Sequence, residues 1–486
     1  MIRFIFMLLF LIIYSPAAAA DYRTAALGGS DLVLNHPANR ADLFHTAGNC
    51  AYLLQSQEPE RVTLRSELQF RKGDLKRKLD PGRRRQTAFS GAHLKKISDN
   101  RIIYGKITYL LEDLYNVPGA LNPQPYSSDP LFISDRTAGD FAYQGPLLQV
   151  CFQQQLRRRW GLGIAVVYGV EQGIKNQYTQ PRILQRKFTA QAAATYLLGR
   201  GWTAGASFNY LNDQDQYEFR QNAFTSAQIQ VYKYISEAFS YSVLQDFDHF
   251  MKRDGWRGVL AVQKNSGGAG GTHLLQVRYG YEKREAFYTT HIRQFDPDWL
   301  ADTYGAAYEY RWQQDQNRWS AGFRTSLLRR SSFSEHRRFE LLITERQETR
   351  LKVEAGAGAR FQAAVPLRLV LQTRLIRVRD NYDDYQSRIF RRTRVEDAGI
   401  GGGVEAVVST AIRLFFGYRH DRSNLTSFSP RYLPDHHSNT FSMAMDFYRT
   451  RRRMVLLIQY FRQSRPGTKL LNEGWLFGFS LEIGNG

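Results

Sequence analysis

The chain has 486 residues, 66 Lys plus Arg against 45 Asp plus Glu, a formal charge of +21, and only two cysteines. After the first twenty residues no apolar run approaches the ~18–20 residues of a membrane-spanning helix, which excludes a helical membrane protein. Hydropathy alone would then suggest an exported soluble protein, but 14% aromatic residues, with 28 Tyr and 31 Phe, point elsewhere.

The leader comes first. Met1-Ile2-Arg3 is a short positive start, residues 4–14 are apolar, and Ser15-Pro16 leads into four alanines. This is the layout of a secretory signal peptide over residues 1–20, with cleavage between Ala20 and Asp21. The apolar run is too short to span a bilayer, and Cys50 lies too far along to be a lipidated N-terminus. A basic exported chain meets anionic lipid, lipopolysaccharide or anionic solutes rather than nucleic acid. For Cys50 and Cys151, one bridge and two free thiols are both compatible with the sequence. Residues 21–60 show no periodicity and read as an N-terminal extension or a short plug.

From residue 61 onward the period is two. Val62, Leu64, Leu68 and Phe70 alternate with Arg65, Glu67, Gln69 and Arg71. Trp202, Ala204, Ala206, Phe208 and Tyr210 alternate with Thr203, Gly205, Ser207 and Asn209. The pattern recurs at 275–282, at 304–312, at 319–327 and at 351–360, and closes with Trp475, Phe477, Phe479, Leu481 and Ile483. Successive side chains of a strand point to opposite faces, so every such segment has one apolar and one polar face.

Two kinds of connection take turns. Short ones are expected at 98–100, 199–201, 313–318, 362–366 and 449–453, and long ones at 115–144, 212–254, 286–300, 380–394 and 421–437. Trp160, Trp202, Trp312 and Trp319 adjoin the short turns, and Trp475 stands in the last strand; amphipathic rings of this kind favour membrane interfaces. The expectation is an all-β transmembrane antiparallel up-and-down barrel over 61–486. About 16–18 strands are predicted, with 14 still within range, short periplasmic turns and long extracellular loops. A closed barrel satisfies every backbone group in hydrocarbon without any long apolar run.

On these grounds the chain resembles the Gram-negative outer-membrane β-barrel proteins, porin-like in build, and the uncharacterised barrel families of Bacteroidetes-type bacteria. The leader, the strand–turn–strand meander and the closing "WLFGFSLEIGNG" carry the resemblance. It departs from it in ending Ile483-Gly484-Asn485-Gly486 rather than on an aromatic residue. His36-Pro37-Ala38-Asn39 is similar to an Asn-Pro-Ala element of fatty-acid-transporter-like barrels. The forty residues before the first strand are too few for the plug domain of a TonB-dependent receptor.

No catalytic, cofactor or metal motif stands out. The ten histidines are scattered apart from His436-His437, and Gly399, Gly401 and Gly403 read as strand glycines that relieve crowding. The lumen-phase charges are Arg65, Glu67, Arg71, Arg257, Arg278, Glu282, Glu309, Arg311, Arg324, Lys352, Glu354, Arg360, Arg413 and Arg419. They either pair and stiffen the wall or leave an arginine excess that favours anions. The Arg triplets at 83–85, 157–159 and 451–453 read as solvated clusters near turns, within reach of lipid phosphates. The expected function is therefore not enzymatic. It is a channel or transporter for small polar solutes, anions among them, with lipid, lipopolysaccharide and other outer-membrane proteins as partners. The alternatives are a carrier of hydrophobic molecules and a structural or assembly barrel.

Overall fold

A computed structural model describes residues 49–51, 60–121, 131–176, 181–219, 231–237, 240–243, 248–266, 271–288, 297–314, 318–336, 340–362, 364–409, 411–427, 429, 431–449 and 452–484. The expected signal peptide, its Ala20–Asp21 boundary and the Pro37 element lie outside these residues.

The first seven strands are β1 (Arg61–Gly73), β2 (Arg83–Ser98), β3 (Arg101–Ala120), β4 (Phe132–Leu156), β5 (Trp160–Lys175), β6 (Arg182–Gly199) and β7 (Trp202–Glu218). Two four-residue strands follow, β8 (Val231–Tyr234) and β9 (Ser240–Val243). The wall resumes with β10 (His249–Asn265), β11 (Thr272–Tyr288), β12 (Pro297–Gln313), β13 (Trp319–His336), β14 (Leu341–Phe361) and β15 (Leu367–Asp384). It ends with β16 (Ile389–Val407), β17 (Ile412–Leu425), β18 (His436–Arg449), β19 (Arg452–Ser464) and β20 (Leu471–Gly484).

Each wall strand pairs antiparallel with its sequence neighbour. β7 pairs with β10, and β20 returns to β1 with Arg61 opposite Gly484 and Gly73 opposite Asn472. The result is a closed up-and-down barrel of eighteen strands, with β8 and β9 outside the ring. Closure leaves no unpaired edge. The start of β1 and the end of β20 share the end where β2–β3, β6–β7 and β18–β19 are joined by only two residues. At the opposite end, thirty residues separate β7 from β10.

Burial is inverted relative to a soluble protein. Leu162, Ile164 and Val166 on β5 are 42%, 60% and 41% exposed. Gln153, Thr195, Ser207 and Gln276 on the other phase of their strands are buried. The barrel therefore turns an apolar surface outward and polar side chains inward, as a transmembrane β-barrel does.

Trp160, Trp202, Trp319 and Trp475 are exposed on the outer face, and half-buried Trp312 shares that phase. Outward aromatics recur eight residues apart on three strands: Trp160 with Tyr168, Trp202 with Tyr210, and Trp312 with Tyr304. Eight residues span about 26 Å of strand, or about 20 Å along the barrel axis at a tilt of ~40°. That is close to the apolar band of such barrels. Trp475 lies toward the long-loop end, since its partner Phe70 is three residues from the end of β1.

The loops are shorter than the sequence suggests. β15 and β16 continue through 380–394 with only four residues between them, and β3, β4, β17 and β18 likewise run into segments read as loop. Past the aromatic belt both faces are wet, so the apolar alternation disappears while the hydrogen-bonded ladder goes on.

Candidate functional site

The lumen is the candidate site, with a short bound segment at one end, a crossbar at the other and charged side chains along the wall. At the short-turn end, residues 49–51 lie against the inner face of β4–β7. Cys50 N–H donates to Gln191 Oε1 (2.9 Å), Asn49 Nδ2 donates to the carbonyls of Ala194 (3.3 Å) and Ala206 (3.0 Å), and the Gln153 side chain donates to Ala51 O. All three residues are buried. Glycine on β5 makes this close approach feasible: a Cβ at Gly163 would lie 2.6 Å from Cys50 Sγ.

Charged side chains line the wall along its height, from Arg360 and Arg413 near the short-turn end to Arg71 near the long-loop end. Register places Arg65, Glu67, Arg71, Arg278, Glu282, Glu309, Arg311, Arg324, Lys352, Glu354, Arg360, Arg413 and Arg419 on the inner phase of their strands. Many are paired. Glu309 accepts from Arg311 and from Arg324 (2.7 Å), and Arg324 reaches Glu354 (3.6 Å), which also binds Lys352 (2.8 Å). The chain of charges thus crosses β12, β13 and β14. Arg65 pairs with Glu67, Arg413 with Glu405 and Arg330 with Glu282, while Asp421 holds both Arg419 and Arg374. A Cβ at Gly399 would lie 2.0 Å from Asp421 Oδ1, so this strand glycine clears space for that cluster.

Four guanidiniums stand apart from this pairing: Arg71, Arg257, Arg278 and Arg360 have no carboxylate in salt-bridge range among the described residues. Arg257 and Arg278 are diagonal neighbours, since Arg257 faces Gly280 and Arg278 faces Val259. One arginine in each of two Arg triplets departs from the expected solvated cluster, while Arg83, Arg85 and Arg452 are exposed. Arg84 turns inward to Glu112, and Arg453 makes a buried two-point contact with Asp446 (2.9 and 3.1 Å). Inward phase is what draws them in.

At the long-loop end is a crossbar. The β8–β9 hairpin adds β8 to the start of β4, with Ile133 opposite Lys233, and Phe132 stacks on Tyr234 at 4.2 Å. Its turn then reaches Glu237, whose carboxylate accepts from Arg391 on β16 and Arg431 in the β17–β18 loop and lies 3.8 Å from Arg346 on β14. Glu237 N–H donates to the Tyr382 hydroxyl on β15 (3.1 Å). Behind it Arg346 binds Asp380, with Nε–Oδ1 at 2.7 Å, and both residues are buried. β4 and β15 are nine places apart in a ring of eighteen, so the hairpin spans the lumen from one wall to the opposite one.

Ile235, next to the tip, joins an apolar cluster with inward residues of eight wall strands, among them Phe141, Ile183, Tyr217, Met251, Trp299 and Ile343. Burial alone would raise the Glu237 pKa, but Arg431 and Arg391 hold it below the usual carboxylate range. Beside the crossbar is a cavity of about 300 Å³ lined by Arg71, Arg374, Asp397, Asp421, Arg431 and His436.

Glu237, Arg346, Asp380, Arg391 and Arg431 escape sequence reading because 154 residues separate Glu237 from Arg391 and 194 separate it from Arg431. The available signal was the aromatic and β-branched run "VYKYIS" (231–236) in a segment expected to be a loop.

The model of a family of unknown function (DUF6850) matches residues 51–395. No curated protein matches the chain. Among solved structures it is similar to the outer membrane transporter YddB from Escherichia coli, at 7% identity and TM-score 0.41 over 86% of this chain and 80% of that one. Similar too are BauA, the ferric preacinetobactin receptor from Acinetobacter baumannii (7%, 0.42, 87% and 80%), and the ferric yersiniabactin uptake receptor FyuA from Yersinia pestis (9%, 0.41, 88% and 81%).

Proposed function

The chain belongs to the family of unknown function DUF6850, and we propose that it is a gated outer-membrane transporter for small polar solutes, with a preference for anions. The observation that carries this reading is the crossbar: one hairpin, latched by one carboxylate, crosses a lumen whose wall carries charged side chains along much of its height. The preference for anions is supported by the four guanidiniums without a carboxylate partner, which leave positive potential along the path. In this reading the aromatic belts sit in lipid and lipopolysaccharide, the short turns face the periplasm, and the solute displaces the hairpin rather than diffusing past it.

The test is conductance in planar bilayers. Wild type is expected to be closed or to flicker, and a variant lacking residues 231–243 is expected to open in large, stable steps with an anion-selective reversal potential. A deletion variant that shows heat-modifiable migration and still conducts nothing overturns the reading. A carrier of hydrophobic molecules is the second reading, supported by the apolar cluster around Ile235 and by residues 49–51 entering the lumen. Lipid or detergent retained inside the purified wall would favour it.

A further inference from the structure

We propose that Cys50 and Cys151 are joined by a disulfide in the exported protein, fixing the segment ahead of β1 to the inner face of β4. The chain has two cysteines in 486 residues, 101 positions apart, and the fold sets both, as free thiols, in one buried cluster. Both are fully buried, in a small cluster with Ala51, Leu94, Ile102, Ala165 and Ala193. The meeting is held from both sides. Cys151 sits in the β4 ladder opposite Tyr104 and Ala165, and residues 49–51 are bound to three strands by the hydrogen bonds described above. Gly161 and Gly163, opposite this segment on β5, leave the room it needs: a Cβ at Gly163 would also lie 2.9 Å from Ala51 N. A wall that only had to bury an apolar side chain would not need its single partner thiol at that spot.

The proposal rests on export into an oxidising compartment and does not depend on the gating reading. The oxidant is an oxidised dithiol protein of that compartment. One cysteine thiolate attacks the carrier's disulfide, giving a mixed disulfide and releasing a carrier thiolate. The second cysteine then attacks the chain's own sulfur and expels the other carrier thiolate. Two protons leave the cysteines, and two electrons reduce the carrier to its dithiol. Both sulfurs are buried in the closed barrel, so the exchange precedes closure. With only two cysteines, a single intramolecular pairing exists and early oxidation cannot scramble.

The experiment is thiol counting on full-length protein, with outer membranes denatured directly in the thiol label so that the label is itself the trap. Denatured wild type treated with a polyethylene-glycol maleimide is expected to show no adduct without reductant and two adducts after reduction. Digestion should yield one cross-linked peptide pair holding both cysteines. Cys151→Ser should show one adduct without reductant. Two adducts on unreduced wild type, or a linkage found only between chains, overturns the proposal. Should the variant fail to assemble, the wild-type count decides alone.

Discussion

Replacing Glu237 by Gln removes the charge of the latch while keeping its shape. The carboxylate accepts charge-assisted hydrogen bonds from Arg391 and Arg431 and stands 3.8 Å from Arg346, and the three guanidinium side chains are 16%, 7% and 6% exposed. Little solvent screens these contacts, so the discount proper to surface ion pairs does not apply. Each hydrogen bond to a charged group contributes about 1.5–3 kcal/mol, and removing one member of a buried pair costs about 3–5 kcal/mol. Arg346 keeps Asp380, and Phe132 keeps Tyr234, so the loss is confined to the tip of the crossbar. A change of about 3–5 kcal/mol shifts the docked–undocked equilibrium by about a hundredfold to several thousandfold. Single-channel recording should show the open probability of Glu237→Gln rising far above wild type, with unit conductance close to that of the hairpin deletion. Amide hydrogen exchange at Val231–Tyr234 should accelerate in parallel. Faster exchange at the hairpin without any gain in conductance would refute the gate. Unchanged exchange would refute the latch itself.

Three further outcomes are expected. The Glu237 pKa is held below its ordinary value, so its contribution is complete above the usual carboxylate pKa of about 4.3 and is lost as pH falls through the depressed value. Conductance should therefore be flat between about pH 5 and 8 and should rise only below about pH 4. Gly163→Ala places a methyl 2.6 Å from Cys50 Sγ, and overpacking of this kind costs about 1–3 kcal/mol. It should expose the chain near residue 50 to protease while the barrel keeps its heat-modifiable migration. Phe479 faces outward midway between Trp475 and Ile483, so Phe479→Arg should impair assembly by about 2–4 kcal/mol. Leu476→Arg, on the inner phase opposite Gln69 and Gln459, should be tolerated in the same refolding assay.

Strand phase was legible because the period of two carries it directly. Tyr304, Ala306, Tyr308, Tyr310 and Trp312 point outward, and Glu309 and Arg311 point inward, as the alternation requires. Turns were legible where they are tight, as at Gly199 and Gly201, both with positive φ. The rims were not legible, because hydropathy reports contact with lipid and falls silent where β15 and β16 rise into water on both faces. The lumen's interior was least legible. Which of Arg278 and Arg324 finds a carboxylate depends on what the register sets opposite it on the adjacent strands, Gly305 for Arg278 and Glu309 and Glu354 for Arg324, and the Glu237 latch depends on the opposite wall.

The seam between β1 and β20 bears on when the molecule can exist at all. Arg61 is paired in register with Gly484, 423 residues later, so the ring cannot shut until β20 is in place. Contacts of such long sequence separation make closure the slow step of folding. A chain cut short before β20 would carry two raw strand edges, each a template for pairing with another chain. Closure is thus settled at β20: either this fourteen-residue strand docks along β1, or a long, sticky, half-rolled sheet is left for proteases to clear.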